Sequence, residues 1–339
     1  MANQHQRTFD VLPGHKFAIL AVSDCRAGPS PSAVADLGKG YAMSRVLPSG
    51  ALKTWATQLG SIHESELRKC NLFLWATAPS DSPGILDGEN NALQRRVYQL
   101  YLGLLIAMPY LRHGRLTSLT GSNIRGEAGV RSLTWYSGTY YTIGSPRAPL
   151  TIQRARDAAA IASALATHSS QPGHRMVRAL RTFRQATESP ELDVRLHQFV
   201  RAIEAFIAPP FGRSAEHFAD RLATVNWGRG RPVALELYKI RSAIEHLRGP
   251  YDAMPKRPAG GKSRRMARRI IEAETIARYL LFTYFSHREL WPHFLSRETV
   301  DALWVRSAPE LRKALGSGIP LTKIAAAIDW NDFELRLRQ

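Results

Sequence analysis

Two stretches of the chain carry apolar residues at alternating steps of four and three. Leu192, Leu196, Phe199, Ile203 and Phe206 form one series, and Val233, Leu237, Ile240, Ile244 and Leu247 form the other. At 3.6 residues per turn that spacing lines each set along one buried helix face. Pro232 suits the first turn of the second helix, and Gly249-Pro250 suits its end. Similar patterning predicts helices at about 151–167, 173–188, 191–207, 214–225, 232–248 and 265–290. Between Ile270 and Phe285 apolar residues fall on most sides, which places that helix at a bundle centre. Short helices follow to the C-terminus.

The first 150 residues read differently. KFAILAV (16–22), NLFLWAT (71–77) and SLTWYSGTYYTI (132–143) are short aromatic and aliphatic runs that predict strands, and 51–58 and 90–108 predict helices. AGPSPS (27–32) and APSDSPG (78–84) predict loops, and GSPRAP (144–149) a boundary. The expected fold class is mainly α: an N-terminal α+β domain at 1–150, a helical domain at 151–298 and a short helical C-terminal extension at 299–339. The first domain shows no paired carboxylates, Gly-rich fingerprint or His pair at metal-ligand spacing; a sensing or partner-binding role is expected for it. VYQLYLGLLIAM (97–108) is too short for a membrane span and follows Arg95 and Arg96, so it predicts a buried helix. The N-terminus lacks the pattern of a signal peptide.

Composition adds a charge bias. Lys plus Arg number 46 against 28 Asp plus Glu, a net charge of +18, and most of the cations are Arg. A planar guanidinium forms paired hydrogen bonds to phosphate, which makes nucleic acid a plausible partner; a genome rich in GC, favouring Arg codons, is the competing explanation. Cys25 and Cys70 lie far apart with no CxxC, against a disulfide framework or a cysteine zinc site, and a cytoplasmic protein without a membrane partner is the simplest expectation. KRPAGGKSRRMARR (256–269) holds seven cations and no acid. It reads as a flexible basic linker, either contacting RNA or simply solvated, with Lys256, Arg257, Lys262, Arg264, Arg265, Arg268 and Arg269 as the candidate contacts. Its GGKS is not a phosphate loop, because that pattern requires Gly where Lys256 stands.

LYKIRSAIEHLRG (237–249) is the stretch with candidate chemistry. Arg-x4-His occurs twice, at Arg241…His246 and Arg288…His293, and with 11 His in 339 residues roughly one match arises by chance. Pro292 interrupts the second pair. On the first helix, Arg241 lies roughly 80° from the centre of the apolar stripe and His246 about 140° from it, so both stand off the core. Two structural roles compete with a functional one: an Arg241–Glu245 pair one turn apart, and His246 at the helix C-terminal dipole. The chemistry that needs both is RNA phosphodiester cleavage. An imidazole moves protons near neutral pH, and a fixed guanidinium holds the phosphate. No metal or cofactor is required, and two copies of the pair across a two-fold axis would make a fuller site.

FVRAIEAFI (199–207), a short helix, LYKIRSAIEHLRG and a long apolar helix together resemble the HEPN superfamily, and more narrowly the Apea-like HEPN proteins. Ala202-Ile203-Glu204-Ala205-Phe206 matches an "alEalf"-like stretch of that group, and Leu237 to Ser242 with His246 matches "lYklRsxixHg". The likeness covers about residues 190–290. It departs at Ser242, where toxin-type relatives carry Asn, Asp or His, and after His246, where the usual glycine is delayed to Gly249. The resemblance implies a HEPN-type helical bundle, a homodimer and metal-independent endoribonuclease activity in toxin–antitoxin or antiviral defence, with an antitoxin or defence-system partner. Arg241 would bind phosphate and His246 would be catalytic. Glu204 is the candidate orienting residue, and Lys239 and Arg248 join the RNA-binding candidates. A non-catalytic RNA- or nucleotide-binding module and a protein-interaction scaffold are the alternatives.

Overall fold

A computed structural model describes residues 11–25, 34–47, 51–124, 128–140, 145, 148–168, 174–210, 212–225, 230–256, 261–316, 318 and 321–331. The predicted loop at 27–32, the end of the predicted strand at 141–143, residues 144, 146 and 147 of the predicted boundary and Arg257 lie outside them. The chain divides into two compact units, Met1–Thr139 with Arg147–Ala166, and Tyr140–Pro146 with Thr167–Gln339. It is mainly α, with strands only in the N-terminal unit among the described residues.

The first unit is built from β1 (His15–Ser23), β2 (Val34–Gly38), β3 (Tyr41–Ser44), α1 (Ala51–Arg68), β4 (Cys70–Pro79), α2 (Gly88–Ala107), β5 (Leu116–Ser122), β6 (Gly129–Tyr136) and most of α3 (Ile152–His168). The strands form one antiparallel sheet in the order β2-β3-β4-β1-β5-β6. Phe17, Ile19 and Ala21 of the central β1 join Trp55 and Leu59 of α1 in one core. Alternation turns Lys16, Ala18, Leu20 and Val22 to the opposite face, where Lys16 pairs with Asp87 and Glu89 at the start of α2. With both faces covered, β1 is buried almost throughout, which is why it reads as an unbroken apolar run.

Three strands escaped the sequence patterning. β5 is LTSLTGS, a polar run, yet every residue in it is buried. Two of its hydroxyls are met from α2, where Ser118 donates to Gln94 and the Asn90 amide donates to Thr120 at 2.7 Å, while the Ser122 hydroxyl is buried without a partner among the described residues. β2 and β3 are short: β2 pairs with β3, and β3 is held to the rest of the sheet by β4 rather than marked by any local alternation. A further correction concerns the boundary after residue 150: α3 belongs with the sheet unit through Ala166. Gly103 decides this, because a Cβ there would lie 2.2 Å from the Ala158 carbonyl oxygen. The missing side chain lets α2 and α3 cross at close range.

His113 is a buried imidazole of this unit. Its Nδ1–H donates to the Gly114 carbonyl at 2.7 Å and its Nε2 accepts from the Tyr101 hydroxyl at 3.0 Å. Burial pushes its pKa down to about 4. The unfolded imidazole protonates near 6.5, so the stabilisation present above pH 6.5 is lost as pH falls toward 4. The expected loss is about 3 kcal/mol between those limits. Amide exchange of β1 at pH 7 and pH 4.5 measures it, and His113→Gln flattens the difference.

The second unit holds α4 (Arg175–Glu188), α5 (Leu192–Ile207), α6 (Ser214–Val225), α7 (Arg231–Glu245), α8 (Gly261–Ser286), α9 (Arg297–Trp304), α10 (Ala308–Leu315) and α11 (Leu321–Ala326). The 26-residue α8 buries side chains on most of its sides, as its patterning predicts, and α5 packs on α4, α7 and α8. Leu196, Phe199, Ile203 and Phe206 are fully buried, but Leu192, in the first turn, is exposed. The extension beyond residue 298 completes this unit. Asp301 of α9 accepts from Arg221 at 2.7 Å, the Trp304 ring meets Phe206, and the Tyr279 hydroxyl donates to the Leu315 carbonyl.

Candidate functional site

α7 ends earlier than its stripe predicts. Its last helical residue is Glu245, with His246 as the cap. Arg248 N–H donates to the Ala243 carbonyl at 2.8 Å and Leu247 N–H to Ile244 at 3.0 Å, the bonding of a Schellman motif. Leu247 therefore takes the left-handed position, φ 55°, and its side chain is 96% exposed instead of closing the apolar stripe. The core face of α7 is Ala234, Leu237, Ile240 and Ala243. Glycine favours the position after the cap, and the resemblance motif carries glycine there. Because the Leu247 side chain buries nothing, Leu247→Gly is expected to stabilise the protein by about 0.5–1 kcal/mol, with the rise in thermal midpoint as the measurement.

His246 is exposed, and no hydrogen bond engages its ring among the described residues. It lines a pocket of about 330 Å³ at the end of α7, together with Tyr238, Lys239, Ser242, Arg248 and Asp252. The far wall is the 3₁₀ turn Pro250–Ala253, and the Tyr238 ring is held against Phe218 of α6 at 5.4 Å. Lys239 and Arg248 are thus brought together with His246.

Arg241 is placed otherwise. It sits one turn before the helix end and reaches across to α5, so its side chain is only 15% exposed and does not line the pocket. Its guanidinium pairs with Glu204 at 3.2 Å and with Glu245 on its own helix, while Nε is buried without a hydrogen-bond partner. Both the orienting carboxylate and the local ion pair read from the sequence are therefore present at once. Burial pushes the Glu204 carboxyl up, against the pull of Arg241. The expectation that Arg241 stands exposed fails because a charge on the flank of α7 meets the facing flank of α5.

Sequence reading missed His197. It shares a face of α5 with Arg201 and Glu204, at steps of four and three, and that spacing was the available signal. Its Nε2 is buried with no hydrogen-bond partner, and burial, with Arg241 and Arg201 nearby, holds its pKa below the usual histidine value.

The basic segment at 256–269 is corrected more sharply. Helix α8 begins at Gly261, so Lys262 through Arg269 are helical rather than loop. Arg265 and Arg269 turn inward to Glu236 of α7, at 2.6 Å and 2.7 Å, and Arg268 and Arg269 both hold the fully buried Glu272. Arg264 lies over the Trp330 ring at 5.0 Å. Arg265 and Arg269 thus fasten α7 to α8, and among the candidates in this segment Lys256, Lys262 and Arg268 are exposed. The second Arg-x4-His pair is not a site either. Arg288 lies over Trp291, and His293 meets Arg306 at 3.2 Å.

No family model, curated protein or solved structure matches the chain. No helix among the described residues is long and apolar enough to cross a membrane, and no group of three or more metal-ligating side chains occurs among them.

Proposed function

We propose that the protein is a metal-independent endoribonuclease of the HEPN type, acting in the cytoplasm as a homodimeric defence or toxin effector. The observation that carries this reading is the exposed His246 imidazole in a pocket edged by Lys239 and Arg248, five residues along the chain from the ion-paired Arg241 guanidinium. In the reaction the 2′-oxygen attacks phosphorus and the P–O5′ bond breaks. The 2′-OH proton passes to a base and another is delivered to O5′, leaving a 2′,3′-cyclic phosphate and a 5′-OH. Imidazole suits either transfer, and Arg241 stabilises the charge gathering on the phosphate oxygens.

Arg241 reaches phosphate by exchanging one carboxylate for it. Glu245 is the exchangeable partner, since its side chain is 42% exposed against 17% for Glu204, which remains as the anchor. Glu245 therefore competes with substrate. Cleavage of a labelled RNA in EDTA tests the whole reading, with cyclic phosphate ends and a dimeric solution mass as expected results. Glu245→Gln is expected to lower KM several-fold with kcat nearly unchanged. No cleavage of any RNA, with binding that falls as salt rises, would leave a non-catalytic RNA-binding module instead.

A further inference from the structure

We infer that the pocket at the end of α7 is a nucleotide subsite in which the Asp252 carboxylate selects guanine. The inference rests on the ribonuclease reading for its place beside the scissile phosphate, but binding at the pocket is a separate property.

At about 330 Å³ the pocket has the size of a small-ligand site, enough for a single nucleotide. Its chemistry is divided. Lys239 and Arg248 supply cationic donors beside His246, which suits a phosphate. Ala215, Ala243 and Ala253 supply small apolar surface for the face of a base. Asp252 supplies an acceptor, and its carboxylate forms no ion pair or hydrogen bond among the described residues. An unpaired carboxylate in a basic pocket is a recognition element awaiting N–H donors. The backbone holds it in place: Asp252 N–H donates to the Gly249 carbonyl at 3.0 Å, and Met254 anchors the turn in the core. Gly249 keeps room for the carboxylate, since a Cβ there would lie 3.0 Å from Oδ2.

Single-stranded RNA presents its Watson–Crick edges to such groups. Guanine places N1–H and N2–H side by side, one donor for each carboxylate oxygen. Adenine and cytosine offer one amine next to a ring nitrogen acceptor, which repels the second oxygen. Uracil offers one N–H between two carbonyls. The expected order is guanine first and uracil last.

Calorimetric titration of the full chain with 3′-GMP, 3′-AMP, 3′-CMP and 3′-UMP tests this. 3′-GMP is expected to bind at least about tenfold more tightly than 3′-UMP, as a charged hydrogen-bond acceptor implies. Asp252→Asn should reduce that ratio to about threefold or less, because its amide N–H₂ opposes a guanine donor, while inorganic phosphate binds as before. Lys239→Ala should weaken all four nucleotides together. Four affinities within about threefold of one another in the wild type, or a guanine preference that survives Asp252→Asn, would overturn the assignment. Guanine-selective binding in a protein that cuts no RNA removes the ribonuclease reading and keeps the subsite. RNA cleavage with no nucleotide preference does the reverse.

Discussion

If the proposed ribonuclease reading holds, His246→Ala is expected to lower RNA cleavage by at least about 100-fold and to leave the fold as it was. The size follows from the role, since a positioned general acid or base contributes about 10²–10⁴-fold. The intact fold follows from the position. His246 caps α7 through its backbone, its ring is exposed, and its side chain makes no hydrogen bond among the described residues. Surface substitutions of this kind change stability by about 0.5 kcal/mol or less. RNA affinity should persist as well, because cations rather than an imidazole set it. The assay compares cleavage rates in EDTA and thermal midpoints for the two proteins. Equal rates would remove His246 from the mechanism.

Glu274→Ala is expected to destabilise the helical unit by about 3–5 kcal/mol, the range found when one partner of a buried ion pair is removed. Glu274 lies on α8 with its side chain 4% exposed, paired with Arg278 one turn on and with Arg195 of α5 at 3.6 Å. Arg195 is almost wholly buried, and its Nε and one terminal nitrogen make no hydrogen bond. Glu274 is the anion that compensates it among the described residues, so its loss strands a guanidinium in the core between α5 and α8. The expected fall in thermal midpoint is roughly 10–15 °C for a unit of this size. Replacing Glu274, Arg195 and Arg278 together by apolar residues of similar volume should recover most of the loss, because the desolvation penalty disappears with the charges. A fall of under about 1 kcal/mol in Glu274→Ala would show that water compensates Arg195.

Local spacing determined much of this protein from the sequence alone. The helices from α4 to α8 lie close to where their patterning predicts, and His246 is on the solvent side of α7, because face and period depend on residues within one turn of each other. The pairing of Arg241 with Glu245 was legible for the same reason. Groups that meet across long stretches of chain were decided by tertiary structure. Seven cations at 256–269 read as a linker, yet Arg265 and Arg269 find Glu236 about thirty positions earlier and become part of the frame. β5 reads as polar until Asn90 and Gln94 cover it. The close crossing at Gly103 assigns α3 to the sheet. Whether a charge is free or spent, and whether a polar run is surface or core, depends on which distant groups share its surroundings, and hydrophobic period along one segment carries none of that information.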